Sequence, residues 1–207
     1  MKRRAVLAGV SGAFLLAGCT DLVTDGEMRF DAEPAFVSEA VQDETDYREQ
    51  DTEEMTVEEE LPAGRRVAVT NVITEYARAI EVGPVGGELA RFTVLSTPQV
   101  SIAGQALNPV DDMDNRELAE MLQEEYDEVE NIEEVDRRDV ELFGSGAELS
   151  QFEAEARTGG QSIDVFIDIA RADSGEDIVI SLGVYPQQLD EEAETIDRLV
   201  SGIEHPA

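Results

Sequence analysis

Apolar positions along this chain recur at two periods. Over residues 65–80, Val67, Val69, Ile73 and Ala77 fall on one parity, and Ala68, Val72, Tyr76 and Ile80 fall on the other. Apolar residues on both parities predict a long strand with two buried faces, and so a central place in a sheet. Pro62-Ala63-Gly64 turns an edge strand into it. Gly83-Pro84-Val85-Gly86-Gly87 turns it onward to residues 91–95 and then Ile102, which predicts a meander. Four more strands are predicted near 135–142, 149–157, 162–170 and 177–185. Thr158-Gly159-Gly160-Gln161 and Asp173-Ser174-Gly175-Glu176 separate the last three, which makes those strands antiparallel neighbours. In 149–157, Phe152, Ala154 and Ala156 share one face while Gln151, Glu153, Glu155 and Arg157 share the other. That is the pattern of a half-solvated sheet whose wet side, with Gln151 and Arg157, can meet a partner.

The second period is helical. Asp114 with Glu117 three residues on resembles a capping box, and Leu118, Met121, Leu122 and Tyr126 follow at helical spacing, predicting a helix laid on the sheet. Leu189, Ala193, Ile196, Leu199, Val200 and Ile203 predict an amphipathic C-terminal helix with an acidic outer face. Together these segments specify an α+β fold, a largely antiparallel sheet with helices packed on it. Residues 42–60 hold ten acids among nineteen positions, with Tyr47, Met55 and Val57 as the large apolar groups. They read as a short helix capped by Ser38, a solvated loop and an edge strand; the alternative is a disordered linker.

The N-terminus follows neither period. Lys2, Arg3 and Arg4 precede an apolar run, residues 5–17, too short to span a bilayer. Leu16-Ala17-Gly18-Cys19 then resembles a lipobox, which implies cleavage before Cys19 and lipidation of its thiol. The expected organisation is a signal peptide at 1–18, a lipid-anchored tether at 19–27 and one α+β domain at 28–207. Arg3-Arg4 followed by Ala5-Val6-Leu7 resembles a shortened twin-arginine export motif; the alternative is a basic start that only orients the signal.

Charge sharpens this picture. The formal net charge is −33, and Lys2 is the only lysine, so without residues 1–18 the chain carries 48 acids against 12 arginines. The acids are dispersed, while 42% of residues are hydrophobic and periodic, which predicts a folded domain and not an acidic tail. At molar salt the Debye length falls to about 3 Å and such repulsion is screened, so the composition fits an extreme halophile. With no basic stripe to neutralise phosphates, nucleic acid is excluded as a partner. Anionic lipid head groups are equally poor partners, leaving a lipid on Cys19 as the membrane contact.

Catalytic chemistry is narrowed by missing residue types. Without a lysine beyond the signal there is neither a Schiff-base lysine nor a phosphate-binding loop of the Gly-Lys-Ser/Thr kind. The one histidine, His205, sits third from the end beside Pro206, where a frayed tail is expected and a Ser-His-Asp site is not. Asp111, Asp112 and Asp114 could supply oxygens to calcium, but they lack the alternating spacing and glycine of a calcium loop. Helix capping explains them better. No metal, cofactor or catalytic residue is expected.

The segments MKRR, LAGC, TNVITEYARAI, VLSTPQV, NPVDDM and LGVYPQ resemble a family of uncharacterised lipoproteins from halophilic archaea, over essentially the whole chain. That resemblance implies a location and a salt adaptation, and carries no assigned activity. More remotely, strands flanked by one helix before and one after, ending near Gly183-Val184-Tyr185 and a helix, are similar to the PsbP-like α-β-α sandwich. It implies a non-catalytic adaptor or assembly factor. The expected function is a monomeric, non-catalytic, lipid-anchored surface protein that binds or assists another envelope protein. The alternative is a carrier of a small apolar ligand; a pocket lined by Leu, Ile, Val and Phe would favour it, and an exposed apolar patch would favour the adaptor.

Overall fold

The computed structural model describes residues 27–61, 65–82, 85–102, 105–106, 108–110, 112–125, 129–158, 161–189 and 191–206. Arg3, Arg4 and Cys19 lie outside these residues, as do Asp111, Tyr126 and the turns at 62–64, 83–84 and 159–160. The elements, in chain order, are β1 (Glu27–Asp31), β2 (Phe36–Val37), α1 (Glu39–Thr45), β3 (Arg48–Leu61), β4 (Arg65–Val82) and β5 (Val85–Pro98). They continue as β6 (Ser101–Ile102), β7 (Gln105–Ala106), α2 (Asn115–Glu125), β8 (Val129–Leu142), β9 (Ser145–Thr158) and β10 (Gln161–Ser174). β11 (Asp177–Pro186), α3 (Glu192–Ser201) and β12 (Ile203–Glu204) complete the chain. Among the described residues the fold is mostly sheet with three helices, in keeping with an α+β class.

Among the described residues the main sheet has eight strands. β3 occupies one edge of β4 along residues 65–77, so the other edge of β4 carries β1 beside 66–70 and β5 from Val72 onward. Next come β11, β10, β9 and β8, every pair antiparallel except β1 with β4. The expected β3–β4–β5 meander and the antiparallel β9–β10–β11 run are both present. The centre is occupied differently from expectation. β4 is second from the edge, and the middle strand is β11, none of whose residues is exposed. β4 buries residues on both parities without being central, Ala68, Val72 and Tyr76 on one and Val67 and Ala77 on the other.

Pleating divides the side chains between two faces. Tyr76, Phe92, Val94, Leu142, Leu149, Val179 and Tyr185 meet Ile196, Leu199 and Val200 of α3 in one core. Phe152, Val165, Ile167, Ile169, Ile178 and Ile180 meet Leu118 and Ala119 of α2 in the other. Gly183 permits the α3 contact, since a Cβ there would lie 2.8 Å from Ile196 Cδ1. α1 lies beside α3, and a Cβ at Gly202 would come within 2.7 Å of Val41 Cγ2.

The helix starts differ in mechanism. At α2 the capping box forms in both directions: Glu117 N–H donates to Asp114 Oδ1 and Asp114 N–H donates to Glu117 Oε2, each at 2.9 Å. Met121, predicted to face the sheet, is instead 37% exposed. At α1, Ser38 holds the cap position without a side-chain cap bond; its carbonyl accepts the Gln42 N–H at 3.1 Å.

Candidate functional site

His205 is not a frayed tail. β12 pairs antiparallel with β2, Ile203 opposite Val37, and this carries the next residue onto the ends of β10 and β11. The His205 side chain is 1% exposed. Its Nε2 lies 3.1 Å from Asp177 Oδ2, its Nδ1 2.9 Å from Ser174 Oγ, and Ser96 Oγ is 3.4 Å from Nε2. A carboxylate only accepts, so Nε2 carries a proton and Nδ1 meets the Ser174 hydroxyl. Asp177 Oδ2 also accepts the Glu33 N–H at 2.9 Å. The trio contains the residue types of a hydrolytic site, contrary to the sequence expectation, yet its geometry differs from one. Each ring nitrogen has a partner, as in such a site, but Ser96 is fully buried and Ser174 is 8% exposed, so both hydroxyls are largely closed to a substrate. It is a clasp joining the C-terminal residues to the segment after β1.

Two further buried polar clusters fasten α3 to the sheet. In the first, Arg138 on β8 donates to Asp168 Oδ2 on β10 at 2.7 Å and to Asp197 Oδ1 on α3 at 2.8 Å. Tyr185 donates its hydroxyl to the same Asp168 oxygen at 3.1 Å, and Gln151 Nε2 donates to that hydroxyl at 2.9 Å. Burial pushes the Asp168 carboxyl above the ordinary carboxylate range while Arg138 pulls it back down. Burial and the neighbouring carboxylate drive the Tyr185 phenol well above its usual value. In the second cluster, Tyr47 donates to Glu192 Oε1 at 2.7 Å, Arg78 pairs with Glu192, and the Arg78 guanidinium lies 5.7 Å from the Tyr47 ring centre. Burial, then Glu192, raises the Tyr47 phenol far above its usual value.

The wet side expected on β9 is present only in part. Glu153, Glu155 and Arg157 are exposed and Arg157 pairs with Glu130 at 3.0 Å, but Gln151 is half-buried and committed to Tyr185. Asp112 is exposed and Asp114 serves the capping box. No group of three or more His, Cys, Asp or Glu among the described residues is arranged to hold a metal ion. Two open concavities have mixed polar and apolar linings. One, about 340 Å³ between α1 and α3, is bounded by Val41, Glu44, Asp197 and Arg198; the other, about 510 Å³, is bounded by Phe36, Ser38, Gln42, Glu49 and Glu204. Neither has the aliphatic lining a carrier of apolar ligands would need.

The most exposed element is β3. Every residue from 48 to 60 is exposed, although the strand is fourteen residues long and paired with β4 throughout. At its middle, Met55 is 47% and Val57 51% exposed, on the same face as Val69 and Ile73 of β4. Glu53, Glu54, Glu58, Glu59 and Glu60 flank them.

A family model described as a domain of unknown function (DUF6517) matches residues 34–204. The chain belongs to that family. The DUF6517 match takes in every element from β2 through β12 and leaves β1 outside. No curated protein matches the chain. Among solved structures it is similar to the solution structure of cyanobacterial PsbP (CyanoP) from Synechocystis sp. PCC 6803. That likeness has 10% sequence identity, covers 92% of this chain and 99% of that one, and has a TM-score of 0.37.

Proposed function

We propose that this DUF6517 protein is a non-catalytic protein of an extreme halophile, anchored to the outer face of the cell membrane through a lipid on Cys19, that binds or assists another envelope protein. Export through Arg3 and Arg4 by the twin-arginine route belongs to the same reading, as does a PsbP-like α-β-α arrangement of the domain. The observation that carries the partner reading is the exposed apolar pair Met55 and Val57 at the middle of an otherwise acidic edge strand. Solvation alone explains the acids, and it leaves two large apolar side chains in water unexplained. The buried polar clusters support the same reading, because their side chains are turned inward to hold α3 and the C-terminal residues.

The test is photocrosslinking in native cells at high salt, with a reactive residue at Thr56 and a control at Glu141 on the far side of the sheet. Reproducible capture of one envelope protein from position 56 alone is expected. Equal yields from both positions, or none, would refute the partner reading. Cys19→Ser is expected to release the protein from washed membranes or leave it uncleaved, since a buried acyl chain contributes about 0.8 kcal/mol per CH₂.

A further inference from the structure

β3 pairs with β4 along one edge only, and nothing among the described residues pairs with its other edge. A strand so placed presents unpaired backbone N–H and C=O groups in extended form, a template for one more strand. A second copy of this chain is a poor occupant. Antiparallel self-pairing centred on Thr56 sets Glu53 against Glu59 and Glu54 against Glu58; centring it on Met55 sets Asp51 against Glu59, and centring it on Glu54 sets Glu54 against its own copy. Like charges directly opposed across a ladder destabilise it. The same acids favour a strand of opposite charge, and the Met55–Val57 pair, two residues apart on one face, offers it an apolar centre.

We propose that the outer edge of β3 is a docking edge for an extended, cationic segment of a partner protein. That segment adds as a further antiparallel strand, sets apolar side chains beside Met55 and Val57, and places Arg or Lys against Glu53, Glu54, Glu58 and Glu59. The inference rests on the partner reading above and names the chemistry of the partner.

The probe is a synthetic fourteen-residue peptide with the β3 sequence in which every Asp and Glu is replaced by Lys, titrated against the intact protein at the lowest salt that keeps it folded. Controls are the acidic parent peptide and a scrambled Lys peptide of equal charge. The Lys peptide is expected to bind at least tenfold more tightly than either control and to slow amide exchange across residues 48–61. Met55→Ser with Val57→Thr in the protein, which removes the apolar centre and leaves the charge unchanged, is expected to weaken binding at least tenfold while the melting midpoint stays close to that of the wild type. Equal binding of the scrambled peptide would reduce the effect to bulk charge, tight binding of the acidic parent would point to a second copy, and binding without slowed exchange at β3 would place it elsewhere; each overturns the proposal. A cellular partner captured at position 56 while the Lys peptide leaves β3 unprotected would sink this inference and leave the partner reading standing.

Discussion

Asp177 accepts the Nε2–H of His205 at 3.1 Å on the same oxygen that accepts the backbone N–H of Glu33 at 2.9 Å. One buried carboxylate at the start of β11 thus holds the two ends of the described chain to each other. Removing the imidazole would leave Asp177 and Ser174 without their partner in a site closed to bulk water. His205→Ala is therefore expected to cost about 2–3 kcal/mol in denaturant unfolding at molar salt, from unsatisfied buried groups. A midpoint unchanged from wild type would mean the clasp does not form.

The Arg138–Asp168 pair makes a second, separable claim. Asp168→Ala would strand Arg138 and the Tyr185 hydroxyl beside α3, at a cost of about 3 kcal/mol, with Asp197 limiting the damage. Replacing both partners, Asp168→Leu with Arg138→Met, is expected to cost less than the sum of the single changes. A double-mutant cycle in denaturant reads the coupling; strict additivity would show that the two side chains do not interact.

Alkaline pH tests the phenols. Burial raises Tyr76 to about 12, and Tyr47 and Tyr185 higher still, in each case above the ordinary value of about 10. A raised folded value favours the protonated form in the native state. The resulting stability is complete below about pH 10 and is lost as pH rises from there through the folded values. Tyrosinate absorbance is expected to show three of the four tyrosines silent until the chain unfolds, then ionising together with the loss of circular dichroism. Gradual titration near pH 10 in the folded state would contradict this burial.

Asp114 separates capping from calcium binding. Asp114→Ala should lower stability by about 1 kcal/mol through loss of the reciprocal box, while added calcium leaves the melting midpoint of the wild type unmoved. A calcium-dependent rise abolished by the substitution would restore the metal reading.

The charge excess predicts a salt requirement. The chain without residues 1–19 is expected to melt cooperatively in molar potassium chloride and to lose stability progressively in dilute buffer, as unscreened carboxylates repel. Melting temperatures independent of salt would assign the acids to solubility alone.

What the sequence discloses depends on how local the cause is. Asp114 and Glu117 announce the α2 cap because both partners lie within one turn, and the Gly-containing turns announce the β9–β10–β11 run for the same reason. β1 is hidden because a five-residue parallel strand has no turn to mark it and too few positions to show a period. The place of His205 depends on Ser174 and Asp177, which only the closing of β12 onto β2 brings near. Gln151 has the parity of a solvated residue, and only the register of β9 with β10 and of β10 with β11 sets it beside Tyr185. The acid-rich run at 42–60 gives its edge strand only in part: so charged a segment reads equally as a linker, and the solvated loop expected before the strand is replaced by β3 itself, which begins at Arg48.

The clasp also sets a clock. Val37 finds its strand partner at Ile203, and Glu33 its acceptor at Asp177, so the first described segment stays incomplete until residues 177–203 are in place. β5 likewise waits for β11, across the whole of α2, β8, β9 and β10. Contacts this distant in sequence slow folding and deny a growing chain any finished intermediate. The first described segment is therefore among the last to reach its native contacts, and a chain cut before residue 177 would lack both the middle strand and the clasp.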